Sequence, residues 1–206
     1  MDSDKKPYQF KKDAREAKKD IERRAQQGQR FKSRSKGYLA IFIIIIIVVY
    51  GVYLIVRAFA PKGEDFSQAF SIIGDDHIAA GSQLPEYNSN PPTSGSHYGQ
   101  TARSGFRDEE ISDQNIIHNL EHGDIWIAYH PSIDDEIKEE LKQFAAAKVI
   151  ITPREANETA IAIAAWGRLD TFNIENDTLP IERITDFIRR YTNQGPERVT
   201  GASRGI

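Results

Sequence analysis

The sequence predicts a single membrane-spanning helix followed by a small α+β domain. Three observations lead there. Residues 38–56 (YLAIFIIIIIVVYGVYLIV) carry no charge. The two sides of that run have opposite charge balance: residues 1–37 hold 13 Lys/Arg against 6 Asp/Glu, a net of +7, and residues 38–206 hold 14 against 24, a net of −10. Beyond it, an irregular stretch gives way to short segments of strand and helix period. The predicted layout is a basic cytoplasmic tail (1–37), a transmembrane helix (38–60), a linker and first strand (61–75), an extracytoplasmic His-containing domain (76–197) and a C-terminal tail (198–206).

The apolar run spans about 28 Å as a helix, the thickness of a hydrocarbon core. It has no polar face, unlike a helix at a soluble surface. Arg30, Lys32, Arg34 and Lys36 crowd its N-terminal flank, against Arg57 and Lys62 on the other. The positive-inside bias therefore puts the N-terminus in the cytoplasm and the domain outside a cell membrane. A cleaved signal peptide is the rival reading, but the apolar run is long for a signal core and the charged lead is very long. The tail has good helix formers and mixed charge, so it is expected to be partly helical and solvated. Its charge also suits anionic lipid headgroups, each basic residue adding on the order of 1 kcal/mol near the surface. Nothing beyond charge supports nucleic acid as a partner.

In the outer domain a first strand is expected near Ala69–Ile73. Residues 81–108 are rich in Gly, Pro, Ser and Asn, a long loop of the kind that carries function. Asp113–His122 is expected to be a short helix stopped by Gly123. Ile125–Tyr129 alternates as a strand. A helix capped by Ser132 follows, with Ile133, Ile137, Leu141 and Phe144 on its apolar face. Strands are expected at Lys148–Thr152 and Thr159–Trp166. A last helix starts near Pro180 and buries Ile181, Ile184, Phe187, Ile188 and Tyr191. From residue 124 on, the order β-α-β-β-α indicates an α+β sandwich with helices on one face.

The chain has no cysteine, which excludes disulfides, thiolate metal sites and cysteine nucleophiles. No P-loop or dinucleotide glycine pattern occurs. Five histidines, His77, His97, His118, His122 and His130, all fall within 54 residues. His118 and His122 stand four apart on the expected helix, about 6 Å from each other at Cβ, so both can face one ion. His97 in the preceding loop can fold back as a third nitrogen donor. Without thiolates, a divalent metal, Zn or Cu, suits imidazole best. Glu121 then serves as a fourth ligand or orients an imidazole. His130 ends a strand beside Pro131, and Asp75-Asp76 account locally for His77, so both rank below the other three, though either is able to complete a site.

Two other readings stand beside metal binding. His118–His122 matches H-x-x-E-H, the inverted zinc-peptidase pattern, which would make the domain a metallohydrolase with Glu121 activating water. Its helix is short, however, and no second helix offers a third ligand. Ser94 and His97 at i,i+3 form no convincing nucleophile–base pair, because neither an elbow nor an oriented acid is evident. The second alternative is a metal-free module that recognises an envelope protein through the Pro-rich loop.

Five blocks also carry a resemblance: Asn90-Pro91-Pro92-Thr93-Ser94-Gly95 with His97, His118–Gly123 (HNLEHG), Ala165-Trp166-Gly167-Arg168, Phe187-Ile188 and Gly195-Pro196-Glu197. Together they resemble the bacterial, membrane-anchored domain of unknown function 3105 family over roughly residues 66–197. The resemblance implies an N-terminal membrane segment and places His97, His118, His122 and Glu121 in marker motifs. It implies no particular activity. Many members have an aromatic-rich, sometimes Cys-bearing stretch before Gly105-Phe106; here Tyr98–Ser104 (YGQTARS) has neither Cys nor Trp.

Overall fold

The computed structural model describes residues 5–205. They form two compact units, one ending at Phe59 and one beginning at Ala60. The first is a helix, α1 (Lys5–Phe59). It runs unbroken through the segment expected to be only partly helical. Pro7 lies in its first turn, where proline is tolerated, and the next proline is Pro61, which biases Ala60 away from helix and ends it. Within α1, Ile41–Phe59 is long and apolar enough to cross a membrane. Its large apolar side chains are all exposed, a surface that suits lipid and is unfavourable in water.

In the second unit the elements are β1 (Gln68–Ala69), β2 (His77–Ile78), β3 (His97–Tyr98), β4 (Gly105–Phe106), α2 (Asp113–Glu121), β5 (Ile125–Tyr129), α3 (Asp135–Leu141), β6 (Val149–Pro153), β7 (Ile161–Ala165), β8 (Arg168–Phe172) and α4 (Ile181–Tyr191). Six strands make one mixed sheet in the order β1-β8-β7-β5-β6-β4. β5, β6 and β4 run parallel, and β7, β8 and β1 join antiparallel. β2 and β3 pair separately, in parallel.

The fold is mixed α and β, with the sheet dominating the domain. From residue 124 on the helices share one face, and α2, which precedes them, covers the other. α3 and α4 cover one face, where Ile137, Leu141, Ile184 and Phe187 meet Ile125, Ile127, Ile151 and Ile163. α2 covers the other, where Ile116 and Leu120 meet Trp126, Ala128, Ile150 and Ala164. The physical reason lies in the strands: β5, β6 and β7 are buried along their whole length, so both faces need a cover. Trp126 is fully buried on the α2 face, and its Nε1–H donates to Thr152 Oγ1 at 2.9 Å.

β8 was not expected. Gly167 reads as the end of a strand, yet it is the second residue of a two-residue turn (φ +67°) that pairs Ala165 with Arg168. That is the backbone a tight hairpin requires, and glycine supplies it without strain. α3 starts later than expected, with Asp134 rather than Ser132 before its first turn. Ser132 is held instead by the His130 ring, Oγ to Nδ1 at 2.6 Å. At the start of this unit, the Asp186 carboxylate accepts the N–H groups of Lys62 and Gly63, both at 2.7 Å, and pairs with Arg190 at 3.0 Å. Burial opposes its charge, but these donors outweigh burial and hold the carboxyl below its usual range.

Candidate metal centre

α2 carries the centre. Ser112 caps it, accepting the Asn115 N–H on its hydroxyl, and Gly123 (φ +78°) stops it in the left-handed conformation. Leu120 and Ile116 enter the core, which turns His118 and Glu121, three residues apart, toward β3. Asn119, fully buried between them, binds the loop in front as a backbone strand would. Its Oδ1 accepts Ala102 N–H at 2.7 Å, and its Nδ2 donates to Ala102 O at 3.0 Å and to Asp124 Oδ2 at 2.9 Å.

His97 arrives from the Pro-rich loop, which is fastened along its length. Arg154 donates to Asn90 Oδ1 at 2.7 Å while it grips Asp113 with two bonds of 2.9 and 2.8 Å. Ile73 N–H donates to Ser94 Oγ. At Gly95 (φ +117°) a Cβ would meet Tyr87 and Ile73 at 3.0 and 3.1 Å, so the chain passes where a side chain does not fit. Ser94 is thus buried and its hydroxyl has a structural partner. β2 then lies beside β3 with His77 opposite His97, and parallel pairing turns both rings to one side.

Four side chains converge. Donor atoms of His77, His97, His118 and Glu121 all lie within 4.8 Å of one another. Glu121 Oε2 is 3.0 Å from His97 Nε2 and 3.5 Å from His77 Nε2. These distances bracket the separation of about 3.3 Å expected for two donors of one tetrahedral zinc. His97 is fully buried, whereas the His77 side chain is 51 % exposed, so the cluster opens to solvent at His77.

Hydrogen bonding orients the rings of the cluster. His97 Nδ1 lies 2.8 Å from the Gly95 carbonyl, which can only accept, so Nδ1 carries the proton. In a neutral ring Nε2 then points a lone pair at the Glu121 carboxylate. Two lone pairs at 3.0 Å repel unless a proton or a metal ion sits between them. His118 Nδ1 is buried with no hydrogen-bond partner. Burial, followed by the neighbouring His122, His97 and His77, lowers the His118 pKa from 6.5 to about 4, against a weaker opposing contact with the Tyr98 backbone. His118 is therefore neutral at pH 7, the state that ligates.

Residues 77–204 match the family described as "Protein of unknown function (DUF3105)". The chain belongs to that family. No curated protein and no solved structure matches it.

Four of the five sequence blocks that carry the resemblance lie around α2 and His97, while Phe187-Ile188 sits on α4 at the opposite face of the sheet. Gly167 N–H donates to Thr93 O at 3.1 Å, tying the AWGR hairpin to the NPPTSG loop, and the Trp166 ring stands 6.5 Å from His97. The Gly-Pro-Glu turn clasps the other end of α2. A Cβ on Gly195 would fall 2.1 Å from Glu121 O, and Glu197 N–H donates to that same oxygen at 3.1 Å.

Of the residues singled out from sequence, His97, His118 and Glu121 come together. His122 stands outside that group of four: its Nε2 meets Glu197 Oε2 at 3.2 Å, although its ring is only 4.5 Å from that of His118. The H-x-x-E-H pattern would have Glu121 stand behind two histidine ligands, whereas Glu121 lies among the candidate donors. His77, the weaker candidate with a local partner in Asp75-Asp76, is the residue that completes the group. No local pattern distinguishes it, because its place opposite His97 is a matter of strand register over twenty residues.

Proposed function

We propose that this domain binds one divalent metal ion, Zn or Cu, through His77, His97, His118 and Glu121, and that α1 tethers it to the outer side of a cell membrane. The observation that carries the metal reading is the fixed His97 tautomer, which aims Nε2 at the Glu121 carboxylate beside the partnerless His118 Nδ1. Three imidazoles and one carboxylate are a donor set that zinc and copper accept. When bound, such an ion would supply Lewis acidity, with its tetrahedral shell filled by the four protein donors. The chain's own groups do the positioning. Gly95 O sets the His97 ring, the Asn119–Ala102 pair holds the loop against α2, and half-exposed His77 leaves the cluster accessible.

The test is elemental analysis of the full chain in detergent, after metal stripping and reconstitution at pH 7.5, beside His97→Ala/His118→Ala. About one zinc or copper per chain, lost in the double variant, is the expected result. Metal no higher than in the variant would overturn the reading and favour a metal-free interaction module.

The basic flank before residue 38 supports a cytoplasmic N-terminus that meets anionic headgroups. The chain has no cysteine, so single-cysteine labelling has no background. A membrane-impermeant maleimide on intact cells should label Ser82→Cys and spare Ser35→Cys. The reverse pattern would invert the topology.

A further inference from the structure

The four-donor cluster leaves His122 and Glu197 unused. Three observations set this pair apart from an ordinary surface contact. First, its donor atoms stand 3.2 Å apart, the spacing of two ligands on one ion. Second, the pair bridges solvent and the cluster: the Glu197 side chain is 55 % exposed, that of His122 is 15 % exposed, and the next ring inward is His118. From His122 to His118 to His97 the ring centroids step by 4.5 and 5.1 Å, an unbroken file of imidazoles. Third, Glu197 is fastened to the helix turn that bears the cluster, through its N–H on Glu121 O and through Gly195, which packs without clearance on the same oxygen. The side-chain carboxylate reaches His122 and is still half exposed to solvent.

Resting on the metal reading above, we propose that His122 and Glu197 form a loading station, an outer site that captures a hydrated divalent cation and passes it by way of His118 to the four-donor cluster. The physics favours such a division of labour. A hydrated ion loses its water reluctantly, and His97, His118 and Glu121 are buried. An exposed carboxylate draws in the cation and replaces a first water. An adjacent imidazole replaces a second, and two donors are too few to retain the ion. The net charge of −10 on residues 38–206 adds long-range attraction.

The test uses the full metal-free chain in detergent and Cu²⁺ as the probe. Trp166, 6.5 Å from His97, reports arrival by fluorescence quenching in stopped flow. Equilibrium stoichiometry and affinity are measured first, so failure of the four-donor site shows itself separately, as no copper bound at all. Glu197→Gln removes the charge and keeps the backbone clasp. It should slow quenching roughly tenfold while stoichiometry stays at one and affinity changes less than about twofold. His122→Ala should do the same, and Glu197→Asp should restore most of the rate. An unchanged rate in Glu197→Gln with stoichiometry intact would overturn the loading station and route the ion past His77. Loss of bound copper in Glu197→Gln would overturn it too, because Glu197 would then be a ligand or a structural support.

Discussion

Replacing Asn119 with alanine removes no metal donor, yet it should unfasten the centre. The Asn119 amide satisfies both backbone groups of Ala102, at 2.7 and 3.0 Å, and Ala102 is fully buried. Neither group has water to turn to after the substitution. Each buried unsatisfied group costs about 1–3 kcal/mol. The third partner, Asp124, loses less, because Lys148 at 2.8 Å and Ser203 at 2.6 Å remain. The sum is on the order of 3–5 kcal/mol, a large share of the roughly 5–15 kcal/mol that holds a domain together. For a domain of this size that corresponds to a fall in Tm of roughly 10 °C. Near-ultraviolet circular dichroism of the full chain in detergent follows the loss of packing around Trp126. Asn119→Asp should be at least as damaging, since it keeps the acceptor for Ala102 N–H, loses both donors and sets a second carboxylate beside Asp124. A fall of less than about 3 °C in Asn119→Ala would refute the account of Asn119 as a surrogate strand for the loop.

Two further outcomes follow from the same geometry. His118 has its pKa lowered from 6.5 to about 4, so the folded metal-free chain disfavours the proton that the unfolded chain accepts. Its contribution is fully present above pH 6.5 and is lost as the pH falls toward about 4, worth on the order of 3 kcal/mol across that window; urea titrations should show a shallower acid loss in His118→Gln than in the parent, and equal slopes would contradict the depressed value. Gly195→Ala would put a methyl group 2.1 Å from Glu121 O and 2.4 Å from Gly123 N, both backbone, so the Gly-Pro-Glu turn must swing away. Calorimetry should show at least the 1–3 kcal/mol usual for overpacking, whereas Gly99→Ala, with nothing closer than His77 Nδ1 at 4.0 Å, should leave stability unchanged.

Much of the chain was legible in its residues because the signals are local. A charge-free run bounded by basic residues and by Pro61 announces a lipid-length helix. The 113–122 helix declares its end through Gly123, and its spacing already sets His118 and His122 four apart. What escaped was set by partners distant in sequence. β8 was hidden because glycine in a hairpin turn and glycine at the end of a strand look alike until Ala165 pairs with Arg168. The cover on the second face was not legible because alternation in β5 tells which residues share a face, while Trp126 and Ala128 do not say that α2 covers theirs.

The candidate centre divides in the same way. Sequence by itself determined the membrane-length helix, the absence of thiolate chemistry, the crowding of histidines and the i,i+3 and i,i+4 placement of His118, Glu121 and His122, because composition and helix period are properties of neighbouring residues. Tertiary structure alone decided that His77 joins His97 and that Glu197 meets His122, because each depends on which distant backbone lies alongside, and pairing register leaves no trace in local pattern.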